Sequence, residues 1–335
     1  MFFQLKGETF TSKRVEKKIK SVIFCSVSDF FEKGRFMLLG IIFLVMTGLI
    51  WIGPGAVISN SAKKGLSLDY ILGMTAVITM GLAAFVFFFG NSRVHPVTWI
   101  ALPVSGIVNY LCFIVARAAM KRGPSGLTWA ILQSAFIMPF LMGVIFFNDP
   151  CSVWRWVGLG TMVAAMYLMG QGGQTGEKEK EPQKYSRKSV WLFYTFLAFA
   201  AAGFSQCAFT LPSYFIIEQN GGISNMIFRA GINSIGAFLI FLFAPLWNKN
   251  CFNAKGTLWS ILLITLTSLC GILTLLTGLD TLVAHGAGAI GYPISLGSNI
   301  AAFLIYTAVR FKERLSFPAA AGVGCCLAGI ILLAM

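Results

Sequence analysis

The sequence has few charged residues, few acidic residues and almost no histidine. Only 11% of its 335 residues are charged, whereas 57% are hydrophobic. A soluble globular domain carries about 25% charged and about 45–50% apolar residues. A chain this poor in charge cannot cover a fold of its size with polar surface, so the composition predicts a membrane protein.

Motifs for metal, nucleotide and nucleophile chemistry are missing. The eight cysteines form no C-x-x-C pair and only two histidines occur, which argues against a zinc cluster and a disulfide scaffold. The sequence has neither a Walker A loop nor an H-E-x-x-H motif, and no histidine lies mid-stretch as a base for a serine nucleophile. We therefore predict no enzyme, no metal and no cofactor.

Basic residues outnumber acidic ones, 26 to 12, and give a formal net charge of +14. In a soluble protein this excess would indicate nucleic acid. Here the basic residues fall in short loops and in the N-terminal tail, where they set topology and contact anionic lipid. The partners we expect are a lipid bilayer and a small-molecule substrate, without nucleic acid, and the sequence leaves the oligomeric state open.

Ten apolar stretches take up most of the chain. A helix needs about 20 apolar residues to cross the hydrocarbon of a bilayer. We therefore predict an all-α integral membrane fold with ten transmembrane helices. The stretches are residues 38–58, 69–90, 97–119, 126–147, 154–171, 190–212, 223–247, 257–280, 284–309 and 315–335.

The longest interruption, 172–189, is rich in Gly, Lys, Glu and Gln and is predicted to be a hydrophilic linker. It separates a first five-helix repeat, 38–171, from a second, 190–335. Because five is odd, the second copy enters the membrane from the opposite side. Such inverted repeats are common in secondary transporters, whose substrate sites lie near the midplane where the halves meet.

The N-terminal tail, 1–36, carries eight Lys or Arg. It is either a cytoplasmic or interfacial segment or sequence upstream of a true start at Met37. Fifteen further Lys or Arg lie in or beside the loops on one side of the ten helices, and only Arg93 and Arg155 in those on the other. The positive-inside rule places the fifteen in the cytoplasm, whereas a basic tail favours the reverse, so the orientation of the termini stays open.

Two proline sites are candidate helix breaks, because broken membrane helices expose backbone polar groups where they line a cavity. Gly53, Pro54 and Gly55 lie within the first stretch, where a simple kink is the alternative, and Pro293 lies within the ninth. The ninth stretch also carries pairs of small residues four apart, such as Gly297 and Ala301. Small residues let helices approach closely, so we expect this helix to be central.

Polar residues within the apolar stretches are the candidate substrate-binding residues. Arg229 is the costliest to insert and either snorkels to the interface or faces the cavity as an anchor for an anion. The others are uncharged and suit a polar, largely neutral solute, although helix packing alone absorbs many such groups. The candidates are Trp51, Asn109, Gln133, Gln206, Arg229, Asn233, Tyr292, Ser295 and Asn299.

Residues 38–335 resemble the drug/metabolite transporter (DMT) superfamily, particularly its EamA-like ten-helix branch. The likeness rests on Arg310 to Ser316 followed by Gly322, and on Tyr292 to Ser295. In the first half, Asn148-Asp149-Pro150 departs from the Gly-Glu-Arg type of turn. The resemblance implies a central cavity lined by both halves and faced by Tyr292 and Ser295.

The expected function is therefore a multi-pass carrier in the cell (inner or plasma) membrane that moves a small polar metabolite by alternating access. The substrate is expected to be amino-acid-, sugar- or nucleotide-like, and transport to be facilitative or ion-coupled. The alternative is an intramembrane enzyme or a lipid-handling protein. The carrier and the enzyme are distinguished by the side chains inside the helix bundle, since an enzyme needs a reactive group beside a base.

Overall fold

The structure of the chain is a computed structural model. It describes residues 34–57, 66–89, 94–120, 122, 128, 131–172, 188–215, 222–311 and 317–335. These residues are helical apart from the connecting turns, and no strand occurs among them. Most of the predicted tail, most of the linker and the turn around Glu313 lie outside the described residues.

Ten helices occur in the part of the chain that the structure describes. Short 3₁₀ turns extend α6 at Leu211–Phe215 and α7 at Ala244–Leu246, and one precedes α9 at Gly288–Ile290. The helices are α1 Gly34–Val57, α2 Leu68–Phe89, α3 Thr98–Met120, α4 Ile131–Phe146, α5 Val153–Gly172, α6 Lys188–Thr210, α7 Ile223–Leu242, α8 Leu258–Ala284, α9 Gly291–Phe311 and α10 Phe317–Ala334.

Helices form at all ten predicted stretches, with small shifts at their ends. Helix α1 begins at Gly34 rather than at residue 38, so the last residues of the predicted tail belong to a helix. Helix α9 begins at Gly291 rather than at 284, because the chain turns after α8 and Gly286 adopts a φ of 69°. Glycine takes that left-handed conformation without a steric cost.

Six of the helices, α1, α2, α3, α6, α7 and α8, are long and apolar enough to cross a membrane. Their outer surfaces expose large apolar side chains, for example Phe88, Phe89 and Trp259. Exposed apolar area of this extent marks a surface that faces lipid or a partner. The described part of the chain is thus an all-helical protein with the surface of a membrane protein.

Successive helices run in opposite directions between two ends of the bundle. At one end, here called face A, Phe36 at the start of α1 stacks on His285 after α8, with ring centroids 5.7 Å apart. At the other, face B, the Ser67 hydroxyl before α2 donates to the Cys251 carbonyl after α7, at 3.1 Å. Odd-numbered helices therefore run from face A to face B, and even-numbered helices return.

Most of the close helix pairs join the first five helices to the last five. Helix α1 packs on α8, α2 on α7, α3 on α6 and α7, α4 on α9, and α5 on α10. Glycines permit the closest approaches, because a Cβ at Gly106 would lie 2.0 Å from the Asn233 carbonyl oxygen and one at Gly236 1.9 Å from that of Pro103. Helices α3 and α7 therefore cross at backbone contact.

Helix α9 is central, as its small residues predicted. All residues from 287 to 302 are buried. A Cβ at Gly48 of α1 would lie 2.6 Å from the Ser295 carbonyl oxygen of α9. Only a residue without a side chain lets α1 pack this closely on α9.

The two predicted helix breaks differ in outcome. The helical pattern of α1 is interrupted at Trp51, three residues before Pro54, whose ring displaces the carbonyl four residues earlier. Pro293, in contrast, lies in the first turn of α9, where no intrahelical N–H is required. It therefore begins a helix and does not break one.

Candidate functional site

A cavity of about 300 Å³ lies inside the bundle. Eight of the ten described helices line it, and no described residue of α5 or α10 does so. Seven of the nine predicted site residues line it, as do Pro54 and Gly55 of the break in α1. The seven are Trp51, Asn109, Gln133, Gln206, Asn233, Tyr292 and Asn299.

Sequence reasoning missed the hydroxyl groups of the cavity wall. In apolar helices a Ser or Thr often bonds to its own helix, which hides any functional role in the sequence. Thr79 does so, donating to the Thr75 carbonyl at 2.9 Å, and Ser234 donates to the Ala230 carbonyl at 3.0 Å. The additional lining hydroxyls are Thr75, Thr79, Ser105, Ser205, Ser234 and Ser268.

Two amides of the wall have acceptor atoms without a partner. Gln206 Oε1 of α6 and Asn233 Oδ1 of α7 are shielded from solvent and accept no hydrogen bond within the described residues. Asn299 differs, because its Nδ2 donates to the Gly48 carbonyl at 3.0 Å and ties α9 to α1. A buried acceptor without a donor costs about 1–3 kcal/mol, so a ligand donor would be favoured once the Gln206 or Asn233 side chain turns its oxygen toward the cavity.

Paired hydroxyls join the halves beside the cavity. Ser105 of α3 and Ser205 of α6 are 3.1 Å apart at their Oγ atoms, and each hydroxyl also lies within hydrogen-bond distance of the other residue's carbonyl. Thr47 of α1 and Thr274 of α8 approach to 2.9 Å at their Oγ1 atoms. Serine and threonine side chains are short, so these hydrogen bonds form only where the backbones of the paired helices, α3 with α6 and α1 with α8, lie close together.

Arg229 and Ser295 do not line the cavity. The Arg229 guanidinium is 1% exposed and donates to Asp280 Oδ2 at 2.7 Å and to Ser213 Oγ at 2.8 Å. Arg229 therefore neither extends to the membrane interface nor faces the cavity as an anchor for an anion. Its pairing with a carboxylate offsets the cost of burying the charge. Ser295 is fully buried, and its hydroxyl donates to the Tyr292 carbonyl at 3.1 Å.

A hydrogen-bonded carboxylate joins the halves at face A. Asp149, in the turn between α4 and α5, accepts bonds at Oδ2 from the backbone N–H of Ala289 at 2.7 Å and from the Tyr214 hydroxyl at 2.9 Å. Burial raises the pKa of the Asp149 carboxyl above its ordinary value, although both hydrogen bonds and the Arg155 guanidinium act in the opposite direction. The proton is thus held more tightly in the folded state than in the unfolded chain.

We expect Asp149→Asn to reduce the pH dependence of stability. The pKa of Asp149 is higher in the folded state than in the unfolded chain. Its contribution to the free energy of unfolding is therefore complete below the unfolded-state pKa, about 3.9, and is lost as the pH rises through the folded-state pKa. Asparagine keeps an oxygen for both donors but does not ionise. Thermal midpoints in detergent should fall more for wild type than for the variant between pH 4 and neutral.

Thr161→Ala is the control for this measurement, since the Thr161 hydroxyl donates to the Val157 carbonyl of its own helix and has no other partner in the described part of the chain. Its pH curve should run parallel to that of wild type. Parallel curves for Asp149→Asn and wild type would show that the Asp149 carboxyl contributes no pH dependence.

At face B a second buried carboxylate lies behind the cavity wall. Asp69 is 1% exposed and accepts bonds from the Tyr110 hydroxyl at 3.2 Å and from Asn248 Nδ2 at 2.5 Å. Arg117 lies 3.7 Å away. Tyr110 also lines the cavity, so its phenol separates the Asp69 charge from the interior.

Comparison with known proteins identifies the fold alone. No family model matches the sequence, and no curated protein matches it. A solved structure described only as "Crystal structure of protein" is similar with a TM-score of 0.63 at 13% identity, covering 89% of this chain and 96% of that chain. The chain thus shares its overall arrangement of helices with a protein of known structure.

The part of the cavity wall that the structure describes is uncharged. None of its lining residues is Asp, Glu, Lys, Arg or His, and no group of three metal-ligating side chains occurs in the described ranges. The groups available to a ligand are amides, hydroxyls, the Trp51 indole, the phenols and aromatic rings. This set binds by hydrogen bonding and stacking.

Proposed function

We propose that this protein is a multi-pass carrier in the cell (inner or plasma) membrane that transports a small polar metabolite by alternating access. The observation that carries the proposal is the cavity of about 300 Å³ between the first five and the last five helices, with uncharged hydrogen-bonding groups on its wall. Binding sites for small molecules are typically concave, largely apolar and supplied with a few polar groups. In a bilayer, such an interior is the feature that a carrier requires.

The helix pairs support an inverted repeat. In an inverted repeat, each helix of the first half corresponds to the helix five places later in the second half, so exchanging the halves must turn each helix contact into another contact that occurs. The contact of α1 with α8 corresponds in this way to the contact of α6 with α3, and both are present. The hydroxyl contacts follow the same exchange, since Thr47 meets Thr274 between α1 and α8, and Ser105 meets Ser205 between α3 and α6. Three further contacts join corresponding helices of the two halves, so the exchange leaves each of them unchanged. They are α2 with α7, α4 with α9 and α5 with α10.

The position of the cavity supports alternating access. The lining includes Pro54, Leu72, Leu132 and Ile264, which lie within six residues of the face B ends of their helices. At face A the halves meet through the Asp149 bonds and through the stacked rings of His95 and Phe215, 5.2 Å apart. We propose that face A is the closed side in this state and that transport requires these contacts to separate.

Membership of the drug/metabolite transporter superfamily, in its EamA-like branch, is part of this proposal. Ten helices, a cavity lined by both halves and the cavity residue Tyr292 agree with what the resemblance implies. Ser295 does not face the cavity, and the turn around Glu313 lies outside the described residues. Fifteen basic residues fall, in the sequence, in or beside the segments that join helices whose described ends lie at face B, and this favours a cytoplasmic position for that face.

Uptake into proteoliposomes tests the function. Gln206→Leu and Asn233→Leu remove the two unpartnered acceptors with little change in volume, and we expect each to reduce uptake about tenfold by removing one hydrogen bond to solute. Asn250→Ala, an exposed amide at face B, is the control and should transport as wild type does. Equal uptake by all four proteins would rule out this cavity as the transport site.

A further inference from the structure

We infer that the cavity selects an uncharged ring compound carrying several hydroxyl groups, the chemistry shared by a monosaccharide and a nucleoside. The inference deepens the proposed carrier function and rests on it for the step of transport. It narrows the expected substrates by excluding amino acids and nucleotides. Three features of the wall carry it.

The first feature is the absence of charge. Among the described residues no charged side chain lines the cavity, and the nearby ions already have partners, since Arg229 pairs with Asp280 and Asp69 accepts from Tyr110. A phosphate, carboxylate or ammonium group would enter without a counterion. An isolated ion pays a large desolvation cost in such an environment, so charged solutes are disfavoured.

The second feature is the pair of amide oxygens, Gln206 Oε1 and Asn233 Oδ1, which are buried and accept no hydrogen bond from the residues that the structure describes. They belong to α6 and α7, which both pack on α3. An amide oxygen needs a donor, and a hydroxyl group supplies one without bringing charge. After a small rotation of the two amides toward the cavity, a solute with two or more hydroxyls would satisfy both oxygens, and a further hydroxyl could donate to the oxygen of Ser234 or Thr79 on the cavity wall.

The third feature is the aromatic part of the wall. Trp51 of α1, Phe113 of α3, Phe209 of α6 and Tyr292 of α9 line the cavity. Gly271 makes room for the indole, because a Cβ there would lie 2.2 Å from Trp51 Nε1. Flat aromatic faces pack against the apolar face of a sugar ring or against a base, whereas a linear polyol offers no such face.

The test compares neutral and charged forms of the same rings on the full chain in detergent. The probes are glucose, uridine, glucose 6-phosphate, uridine monophosphate and glutamine, each scored by the shift of the thermal midpoint with concentration. We expect glucose or uridine to stabilise the protein, and its phosphate to bind at least tenfold more weakly. Stabilisation by glucose would assign a monosaccharide to the cavity, and stabilisation by uridine would assign a nucleoside.

Deoxy analogues of the stabilising compound then test the two oxygens without altering the protein. We expect at least one deoxy position to weaken binding about tenfold, and that loss to disappear in Gln206→Leu or Asn233→Leu. Stabilisation by glutamine or by a phosphate equal to that by the neutral rings overturns the inference. So does the absence of any shift with glucose and uridine.

Uptake of the same probes separates the two proposals. Transport of glutamine or of a phosphate, without competition from neutral rings, overturns the inference and leaves the carrier function standing. Stabilisation by a neutral ring that is never taken up overturns the carrier function and leaves the ligand assignment standing. Uptake of the neutral ring that stabilises the protein supports both.

Discussion

Gly236→Ala is expected to destabilise the protein by about 3 kcal/mol or more, the upper part of the range for overpacked sites. The added Cβ would lie 1.9 Å from the Pro103 carbonyl oxygen and 2.8 Å from the backbone N of Ile107. Both contacts are backbone atoms, so no side chain can move aside and helices α3 and α7 must separate. Because Ser105, Asn109 and Asn233 line the cavity from these helices, uptake should fall as well.

Gly81→Ala is the matched control, since a Cβ at that position in α2 meets nothing within 4 Å. Alanine favours the helix by about 1 kcal/mol relative to glycine, so this variant should be as stable as wild type or slightly more stable. The free energy of unfolding in mixed micelles measures both. A Gly236→Ala protein as stable as Gly81→Ala would show that α3 and α7 do not cross at backbone contact.

Arg229→Met is expected to cost about 3–5 kcal/mol, because it leaves the partly buried Asp280 carboxylate without its ion pair. The guanidinium also donates to Ser213, so the change releases contacts among α6, α7 and α8. Asp280→Asn should be costly for the corresponding reason. In the double variant neither charge remains, and its stability should exceed that of Arg229→Met.

A double-mutant cycle over these proteins gives the coupling free energy of the pair. We expect it to lie toward the upper end of the 0.5–3 kcal/mol found for residues in contact. Unfolding in mixed micelles at constant pH provides the four values. Additive effects of the two single changes would mean that the pair does not stabilise the second half.

The sequence predicts the helices well because their signal is local. Twenty consecutive apolar residues specify a membrane helix from composition alone; helices form at all ten stretches, and six of them are long and apolar enough to cross a membrane. The small residues of α9 likewise predict close packing, which the burial of residues 287 to 302 bears out. Helix ends shift where a turn is not visible in hydropathy, as at Gly286.

The candidate site is predicted less completely, because its residues are selected by the packing of distant helices. The presence of a polar side chain within an apolar stretch is enough to identify the amides as candidates, including Gln206 and Asn233. It cannot show that Asp280, 51 residues from Arg229 in the sequence, neutralises the arginine and removes it from the cavity. Nor does it single out Ser105 or Thr79, whose hydroxyls resemble those that only bond to their own helix.

The central claim is that the two five-helix halves move against each other around the cavity. The most direct test replaces His95 and Phe215, whose rings stack between α3 and α6 at face A, with cysteines on a background whose native cysteines are alanine. Cross-linking this pair should abolish uptake in proteoliposomes, and reduction should restore it. The same reagent on Phe85→Cys/Phe89→Cys, within the single helix α2, should leave uptake unchanged. Full uptake with face A locked would contradict alternating access.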